Sequence, residues 1–256
     1  MTTKIGVLGC QGRVGRLLVN EFQSAQHPQF DFVGGTSRNA AELNVPYFVT
    51  ANDEELFSKA DILIDFTVPT ATMKHLEIAK KFGKALVIGT TGLNDEQKIA
   101  VKNAGDEIPV LISANMSVGV NVLLGSVEEA AARLGPEYHI EIIEKHHTKK
   151  LDAPSGTALA LGAAAQAGRA RNNIFEDFLD FDRNGLRPEN GIGFAVVRGG
   201  DIVGSHDVGF YGKGEQIIFT HTATDRVIFA LGAIRAADWL SKQNKGLYSM
   251  KHVLNL

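Results

Sequence analysis

The sequence predicts an α/β protein: a Rossmann-type doubly wound parallel sheet plus a central α+β domain with a mixed or antiparallel sheet. Three observations carry that expectation. Short apolar runs alternate with helical periodicities through the first half of the chain. A glycine-rich turn, Gly9-Cys10-Gln11-Gly12-Arg13-Val14-Gly15, follows the first run and opens the first helix. After about Met116 the pattern changes to a long helix followed by strands of alternating polarity.

Lys4–Leu8 is a short apolar strand, and Arg13–Ala25 carries Val14, Leu17, Leu18 and Phe22 at the spacing of a helix laid on a sheet. Phe30–Gly34 is a second strand. Ala60–Phe66 is a third, continuously apolar as a strand buried on both faces must be. Thr70–Phe82 reads as a helix stopped by Gly83, then Ala85–Gly89 as a strand, Asp95–Ala104 as a helix and Pro109–Ser113 as a strand. Val118–Leu134 is a long helix and His139–Glu144 an alternating strand, with the alanine-rich Ala158–Ala167 lying in a helix beyond it. Residues 191–222 resemble several antiparallel strands joined at Gly199-Gly200-Asp201 and Gly212-Lys213-Gly214, and Arg226–Ser241 is a final helix. The boundaries expected are 1–117 with 227–256 for a dinucleotide-binding domain, and 118–226 for a substrate-binding and tetramerisation domain.

Composition narrows the function classes. The chain has 256 residues, 44% hydrophobic and 21% charged, enough to bury a sizeable core. A net charge of -3 gives no reason to expect nucleic acid or an anionic membrane as partner. No apolar run approaches the ~18 residues of a membrane span, and the opening MTTKIGVLGC enters a strand pattern without a signal peptide. The single cysteine, Cys10, suits a reducing compartment. A cytoplasmic protein is expected.

Glycines between a strand and a helix permit a tight turn and let the backbone approach a pyrophosphate at the helix N-terminus. The acidic residue that usually holds the ribose 2′-hydroxyl after the second strand is missing. Thr36-Ser37-Arg38 stands there, and an arginine beside hydroxyls fits a 2′-phosphate better than a ribose diol. The reading favours NADPH and leaves NADH open. Three further strand ends, Asp65-Phe66-Thr67, Gly89-Thr90-Thr91-Gly92 and Ala114-Asn115-Met116-Ser117, fall at the carboxyl edge where such sheets bind ligands.

The chemistry concentrates between Glu141 and Ala158, EIIEKHHTKKLDAPSGTA. His146 and His147 end a strand, with Lys149 and Lys150 behind them. Asp152-Ala153-Pro154-Ser155-Gly156-Thr157 then leads into a helix start, with unpaired N–H groups and a positive dipole end. Hydroxyls, imidazoles and ammonium groups at such a place suit a small carboxylate ligand, with acids at hand to give up a proton. Zinc is a poorer reading, for there is no cysteine pair and no helical His-Glu spacing, so no metal is expected.

This run resembles the signature of the 4-hydroxy-tetrahydrodipicolinate reductase (dihydrodipicolinate reductase) family. The glycine turn, Asp65–Thr67, Gly89–Gly92, Ala114–Asn121 and Arg226–Leu240 match it in order, so the resemblance covers nearly the whole chain. It implies an NAD(P)H-dependent oxidoreductase of lysine and diaminopimelate biosynthesis, acting on a small dicarboxylate and assembled as a homotetramer. It implies that Gly9, Cys10, Gln11, Gly12, Arg13, Val14, Gly89, Thr90, Thr91, Ala114, Asn115, Met116 and Ser117 hold the dinucleotide. It implies His146 as proton donor or acceptor, Lys150 as second donor, and His147, Ser155, Gly156 and Thr157 on the substrate carboxylates. Many family members carry an acidic residue where this chain has Ser37, beside the basic residue matching Arg38, and that departure puts NADH preference in doubt. Two other readings stay open: a different amino- or keto-acid dehydrogenase, and a non-catalytic NADPH sensor, against which the His146–Lys150 cluster argues.

Overall fold

The computed structural model describes residues 2–174, 178–182, 184–188 and 191–256, and they form two compact units. The first unit comprises residues 1–118 and 227–255. Its strands are β1 (Thr3–Leu8), β2 (Phe30–Thr36), β3 (Val49–Thr50), β4 (Ile62–Asp65), β5 (Ala85–Ile88), β6 (Pro109–Ile112) and β12 (Gly246–Tyr248). They pair in parallel in the order β12-β6-β5-β4-β1-β2-β3. Helices α1 (Arg13–Gln23), α2 (Asp53–Lys59), α3 (Pro69–Phe82), α4 (Asp95–Ala104), α7 (Val227–Leu240) and α8 (Met250–Leu254) complete it.

The apolar runs that predicted β1, β4 and β5 are buried on both faces. One core packs Ile5, Val7, Ile62, Ile64 and Val87 with α1 and α7; the other packs Leu8, Leu63, Leu86 and Ile88 with α2, α3 and α4. Local chemistry sets the helix ends. Pro69 opens α3, and Gly83 closes it in the left-handed conformation at φ 62°. Asn94 and Gln97 form a reciprocal cap on α4.

The second unit, residues 119–226 with Leu256, holds α5 (Val118–Arg133), β7 (His139–His146), α6 (Gly156–Ala170), β8 (Phe178–Asp180), β9 (Gly191–Arg198), β10 (Gly204–Gly212) and β11 (Glu215–Ala223). Its sheet runs β11-β10-β7-β9-β8. Leu123, Val127, Leu161 and Ala165 of the two helices pack on Ile140, Ile142, Phe194, Val208 and Phe210.

Two expectations need correction. The strands within 191–222 alternate in direction as expected, but β9 does not pair with β10: β7 stands between them, parallel to β9 and antiparallel to β10, and β8 lies parallel to β9 on the far side. Helix α6 is the crossover between β7 and β8, which lets β8 return in the direction of β7. The helix expected to be last, Arg226–Ser241, appears as Val227–Leu240 and is followed by β12 and α8. The triplet GLY is too short for a period-2 signal and is placed by pairing with Pro109–Leu111. The short β3 and α2 were likewise not anticipated.

Helix α7 lies so close to the Ala114–Ser117 loop that a Cβ on Gly232 would stand 1.8 Å from the Met116 carbonyl oxygen. Alanine ordinarily stabilises a helix interior by up to about 1 kcal/mol over glycine. Here overpacking reverses the sign, and Gly232→Ala should destabilise the chain by about 1–3 kcal/mol. Denaturant unfolding measures it; an unchanged or raised midpoint would refute this packing.

Candidate active site

The first unit carries a cleft of about 860 Å³ lined by Gly9, Gln11, Gly12, Arg16, Thr36–Asn39, Asp53, Phe66–Val68, Lys74 and His75, among others. Its floor is the glycine turn. Gly9 takes φ 72°, and a Cβ there would stand 2.7 Å from Thr67 Cγ2. A Cβ on Gly15 would stand 2.2 Å from the Gly9 carbonyl oxygen, so the tight turn excludes side chains at both positions. The Gly9 N–H donates to Thr36 Oγ1 (3.1 Å) and the Cys10 N–H to the Thr36 carbonyl (2.9 Å), which ties the turn to the end of β2. Helix α1 begins at Gly12 with no side-chain cap and no acidic residue in its first turn. Its dipole end and N–H groups are therefore compatible with a pyrophosphate, and Arg16, Arg38 and Lys74 on the walls with further phosphate charge. The residues present fit a nicotinamide dinucleotide.

Asp65, fully buried at the end of β4, organises the neighbouring loops. Its Oδ1 accepts from the Thr67 N–H (2.8 Å), the Thr67 hydroxyl (2.6 Å) and the Thr90 hydroxyl (3.4 Å). Gly89 lies against the Phe66 ring, which a Cβ would overlap at 2.3 Å.

In the second unit the strand β7 ends at His146, and α6 begins after Ser155. One carboxylate links the two. Glu144 is fully buried; its Oε2 accepts from His146 Nδ1 and from Arg198 (2.9 Å), and its Oε1 from Arg198 (2.7 Å) and the Ser155 N–H (3.1 Å). Burial pushes the Glu144 carboxyl up, but Arg198 and His146 outweigh it and hold the group below its ordinary value. Burial draws His146 below its ordinary value, against the opposing pull of Glu144. With Nδ1–H given to Glu144, the Nε2 edge of His146 lies toward Gly204, where a Cβ would stand 3.0 Å away.

Ser155 caps α6 by accepting from the Ala158 N–H (3.2 Å), and its hydroxyl also meets His206 Nε2 at 3.1 Å. His206 is buried edge-on against His146, with ring centroids 5.1 Å apart; burial first, then the nearby His146, pushes it down to about 4. Lys150 Nζ lies 2.9 Å from an Asp152 oxygen. His147 Nε2 lies 3.4 Å from the Arg226 guanidinium, while its Nδ1 is buried without a hydrogen-bond partner among the described residues.

Several expected residues converge and others do not. Gly9, Gln11, Gly12 and Arg38 line this cleft; Gly89 and Thr90 do not, though Thr90 donates to Asp65, which also holds the lining residue Thr67. Arg13, Val14, Thr91, Ala114, Asn115, Met116 and Ser117 are not among its lining residues. The Cys10 and Met116 side chains are buried in the core, which leaves only their backbone for a ligand. His146, His147, Lys150, Ser155, Gly156 and Thr157 fall together around the end of β7 and the start of α6. Asp65 was noted only as part of a strand end at the ligand-binding edge, and His75, Glu144, Arg198, His206 and Arg226 were not singled out as site residues. Glu144 carries a usable signal, an inward position in an alternating strand two residues before a histidine; Arg198 and His206, distant in sequence, carry none. Among the described residues no cluster suits a metal ion, and no helix is long and apolar enough to cross a membrane.

A glycine-turn Rossmann unit, and in the same chain a mixed-sheet unit with histidines and a lysine gathered near a helix start, fit the class of nicotinamide-dependent oxidoreductases. Residues 3–116 match the family described as "Dihydrodipicolinate reductase, N-terminus", and residues 119–254 match "Dihydrodipicolinate reductase, C-terminus". The chain belongs to the dihydrodipicolinate reductase family. It is 43% identical to the 4-hydroxy-tetrahydrodipicolinate reductase of Zymomonas mobilis over 259 residues, covering 100% of this chain and 98% of the relative. It is 42% identical to the enzyme of that name from Pseudoalteromonas translucida, covering 99% and 98%. Among solved structures, the dipicolinate-bound dihydrodipicolinate reductase from Paenisporosarcina sp. TG-14 shares the fold at TM-score 0.79 and 23% identity, covering 97% and 98%. A probable dehydrogenase from Thermotoga maritima follows at TM-score 0.63 and 10% identity, covering 98% and 92%.

Glu144→Gln keeps the shape but removes the charge, and turns an N–H₂ toward donors. It should cost about 3–5 kcal/mol, the loss from breaking a buried ion pair, and lower turnover even where the protein stays folded. Thermal unfolding with an activity assay checks this; wild-type stability would show that the carboxylate is not the hub.

Proposed function

We propose that this chain reduces 4-hydroxy-tetrahydrodipicolinate to tetrahydrodipicolinate, as a step of lysine and diaminopimelate biosynthesis. The observation that supports it best is the buried Glu144, whose oxygens hold both His146 and the first N–H of the helix start at Ser155. A proton donor and an anion cradle are thereby kept in fixed register. The 4-hydroxyl leaves as water with a proton from the neighbouring ring carbon, which gives a cyclic unsaturated imine, and the dinucleotide, NADPH or NADH, would supply hydride to one carbon of it.

The chain does the rest. Ser155, Gly156 and Thr157 at the start of α6, with His147, hold the substrate carboxylates by hydroxyl, N–H and imidazole donors. His146 protonates the ring carbon next to the one reduced, and Lys150 steadies the charge on the ring nitrogen or donates to it. In the resting protein His146 is held low by burial. Arrival of a dicarboxylate in the cradle reverses this, because two new negative charges favour the imidazolium. Dipicolinate, the dicarboxylate named with the Paenisporosarcina relative, is of the class such a cradle would take.

The dinucleotide lies along the glycine turn in this reading, with Gly9 to Val14 at its pyrophosphate. The strand-end loops Gly89–Thr91 and Ala114–Ser117 border the rest of it. Arg38, aided by Ser37, favours the 2′-phosphate of NADPH. The enzyme works in the cytoplasm as a homotetramer. The exposed Val196, Val197, Ile217 and Ile218 on the strands of the second unit favour self-association.

The direct test is loss of reduced-nicotinamide absorbance with freshly generated 4-hydroxy-tetrahydrodipicolinate. Turnover is expected; none, with turnover on another amino or keto acid, would overturn the reading. His146→Ala and Lys150→Ala should each lower kcat by about two to four orders of magnitude, with cofactor affinity intact. Near-normal turnover in both would refute the roles. The alkaline limb of kcat should lie at higher pH than that of kcat/KM, since the complex has the recharged His146 and the free enzyme does not. Arg38→Ala should raise KM for NADPH about tenfold and leave NADH unaffected, equivalent to losing one charged contact of about 1.4 kcal/mol. Equal efficiency with both cofactors, unchanged in that variant, would show that Arg38 does not select.

A further inference from the structure

The motif Asp65-Phe66-Thr67 has no part in the proton chemistry, yet it begins with a fully buried acid of the first unit. Oδ1 of Asp65 takes three donors from Thr67 and Thr90, and Thr72 in turn donates to Thr90 Oγ1 (2.9 Å). Oδ2 is left to one partner, His75 Nδ1, at 2.8 Å. On the other side of the ring, His75 Nε2 stands 3.5 Å from an oxygen of Asp53, the first residue of α2. His75 itself is almost wholly buried in α3.

An imidazole with a carboxylate oxygen at each nitrogen satisfies both only when both nitrogens carry protons. The ring is therefore a cation sandwiched between two anions from different elements. We propose that His75 is a positioning residue of the dinucleotide cleft: its imidazolium ties Asp53 to Asp65 and so sets the backbone and hydroxyls that meet the cofactor. The inference rests on the reading of that cleft as a dinucleotide site.

The path from His75 to the glycine turn is short. Asp65 fixes Thr67, and the Thr67 methyl packs where a Cβ of Gly9 would stand, at 2.7 Å. Thr36 holds Gly9 from the opposite side through its N–H. Asp65 also holds Thr90, in the next strand-end loop. Loss of the charge would leave Asp65 buried without a counter-ion, and Asp65 would draw water or release Thr67 and Thr90. The turn would then lose one of its two walls.

The charge has a defined range. Burial pushes His75 down, but the two aspartates outweigh it and hold the ring up at about 9. The charged groups facing it are Asp53 from α2 and Asp65 from β4; Lys74 is its neighbour on α3, and Arg16 and Arg38 share the cleft. Cys10 and Tyr47, beside the glycine turn, are both pushed up by burial. The cleft should therefore be ordered below pH 9 and loosen as the pH rises through it.

The experiment uses the full chain and two readouts. NADPH affinity is followed by cofactor fluorescence from pH 7 to pH 10, and the His75 ring is titrated by NMR without cofactor. The wild type should lose about tenfold in affinity across that range, with an inflection matching the NMR midpoint. His75→Leu should bind NADPH about tenfold more weakly at pH 7, with kcat at saturating cofactor changed by less than about twofold. His75→Asn, whose amide nitrogen replaces Nδ1 toward Asp65, should recover part of that affinity and show no inflection. Asp53→Asn removes one anion and should move the inflection to lower pH. Should His75→Leu fail to fold, the asparagine variants decide the matter. Wild-type-like affinity in His75→Asn, or an inflection that persists in it, would overturn the proposal while leaving the enzyme's function untouched. Failure of the wild type to bind NADPH at all would remove the dinucleotide reading and this inference with it.

Discussion

The second unit depends on one buried charge. Glu144 lies fully inside the protein, where an unpartnered carboxylate would cost several kcal/mol. It is tolerable only because Arg198 grips it with two nitrogens while His146 and the Ser155 N–H take the remaining positions. That requirement works in both directions. The ring of His146 is fixed in tautomer and orientation, and the start of α6 is pinned to the end of β7. Arg198 also donates to the Asp152 carbonyl (2.7 Å), so the loop carrying Lys150 joins the same hub. The contacts that make the buried anion tolerable thus also position the groups proposed for catalysis.

The first unit repeats the logic with a different ion. Asp65 is equally buried, and its counter-charge is a histidine rather than an arginine. An arginine keeps its charge at any pH that proteins endure, and a histidine does not. The two hubs therefore differ in the range over which they hold. Each sits at the carboxyl end of a strand, where side chains leave the sheet and loops with open backbone groups begin.

Much of this was legible in the sequence because it rests on local rules. Strands β1, β4 and β5 announced themselves as continuous apolar runs, and Gly83 and Ser155 marked helix ends by conformation and hydrogen bonding. The residues proposed as proton donors and carboxylate cradle could be picked out together because they lie within a dozen residues of one another. What was hidden depends on contacts across the fold. Arg198 is 54 residues from Glu144, and His206 is 51 from Ser155. His75 looked like one residue in a helix until the sheet brought Asp65 and Asp53 to its two nitrogens. The pairing of β9 with β7 reaches across all of α6 and β8, and β12 is placed by a partner strand more than a hundred residues earlier.

In the proposed mechanism the carboxylate cradle and the protonation of His146 act as one coupled device. Calorimetry of dipicolinate binding to the wild type at pH 7, in buffers of different ionisation enthalpy, measures the protons exchanged on binding. The account expects net proton uptake, lost in His146→Asn, because the bound carboxylates recharge a histidine that burial had kept neutral. Binding with no proton uptake, or uptake that survives in His146→Asn, would contradict it.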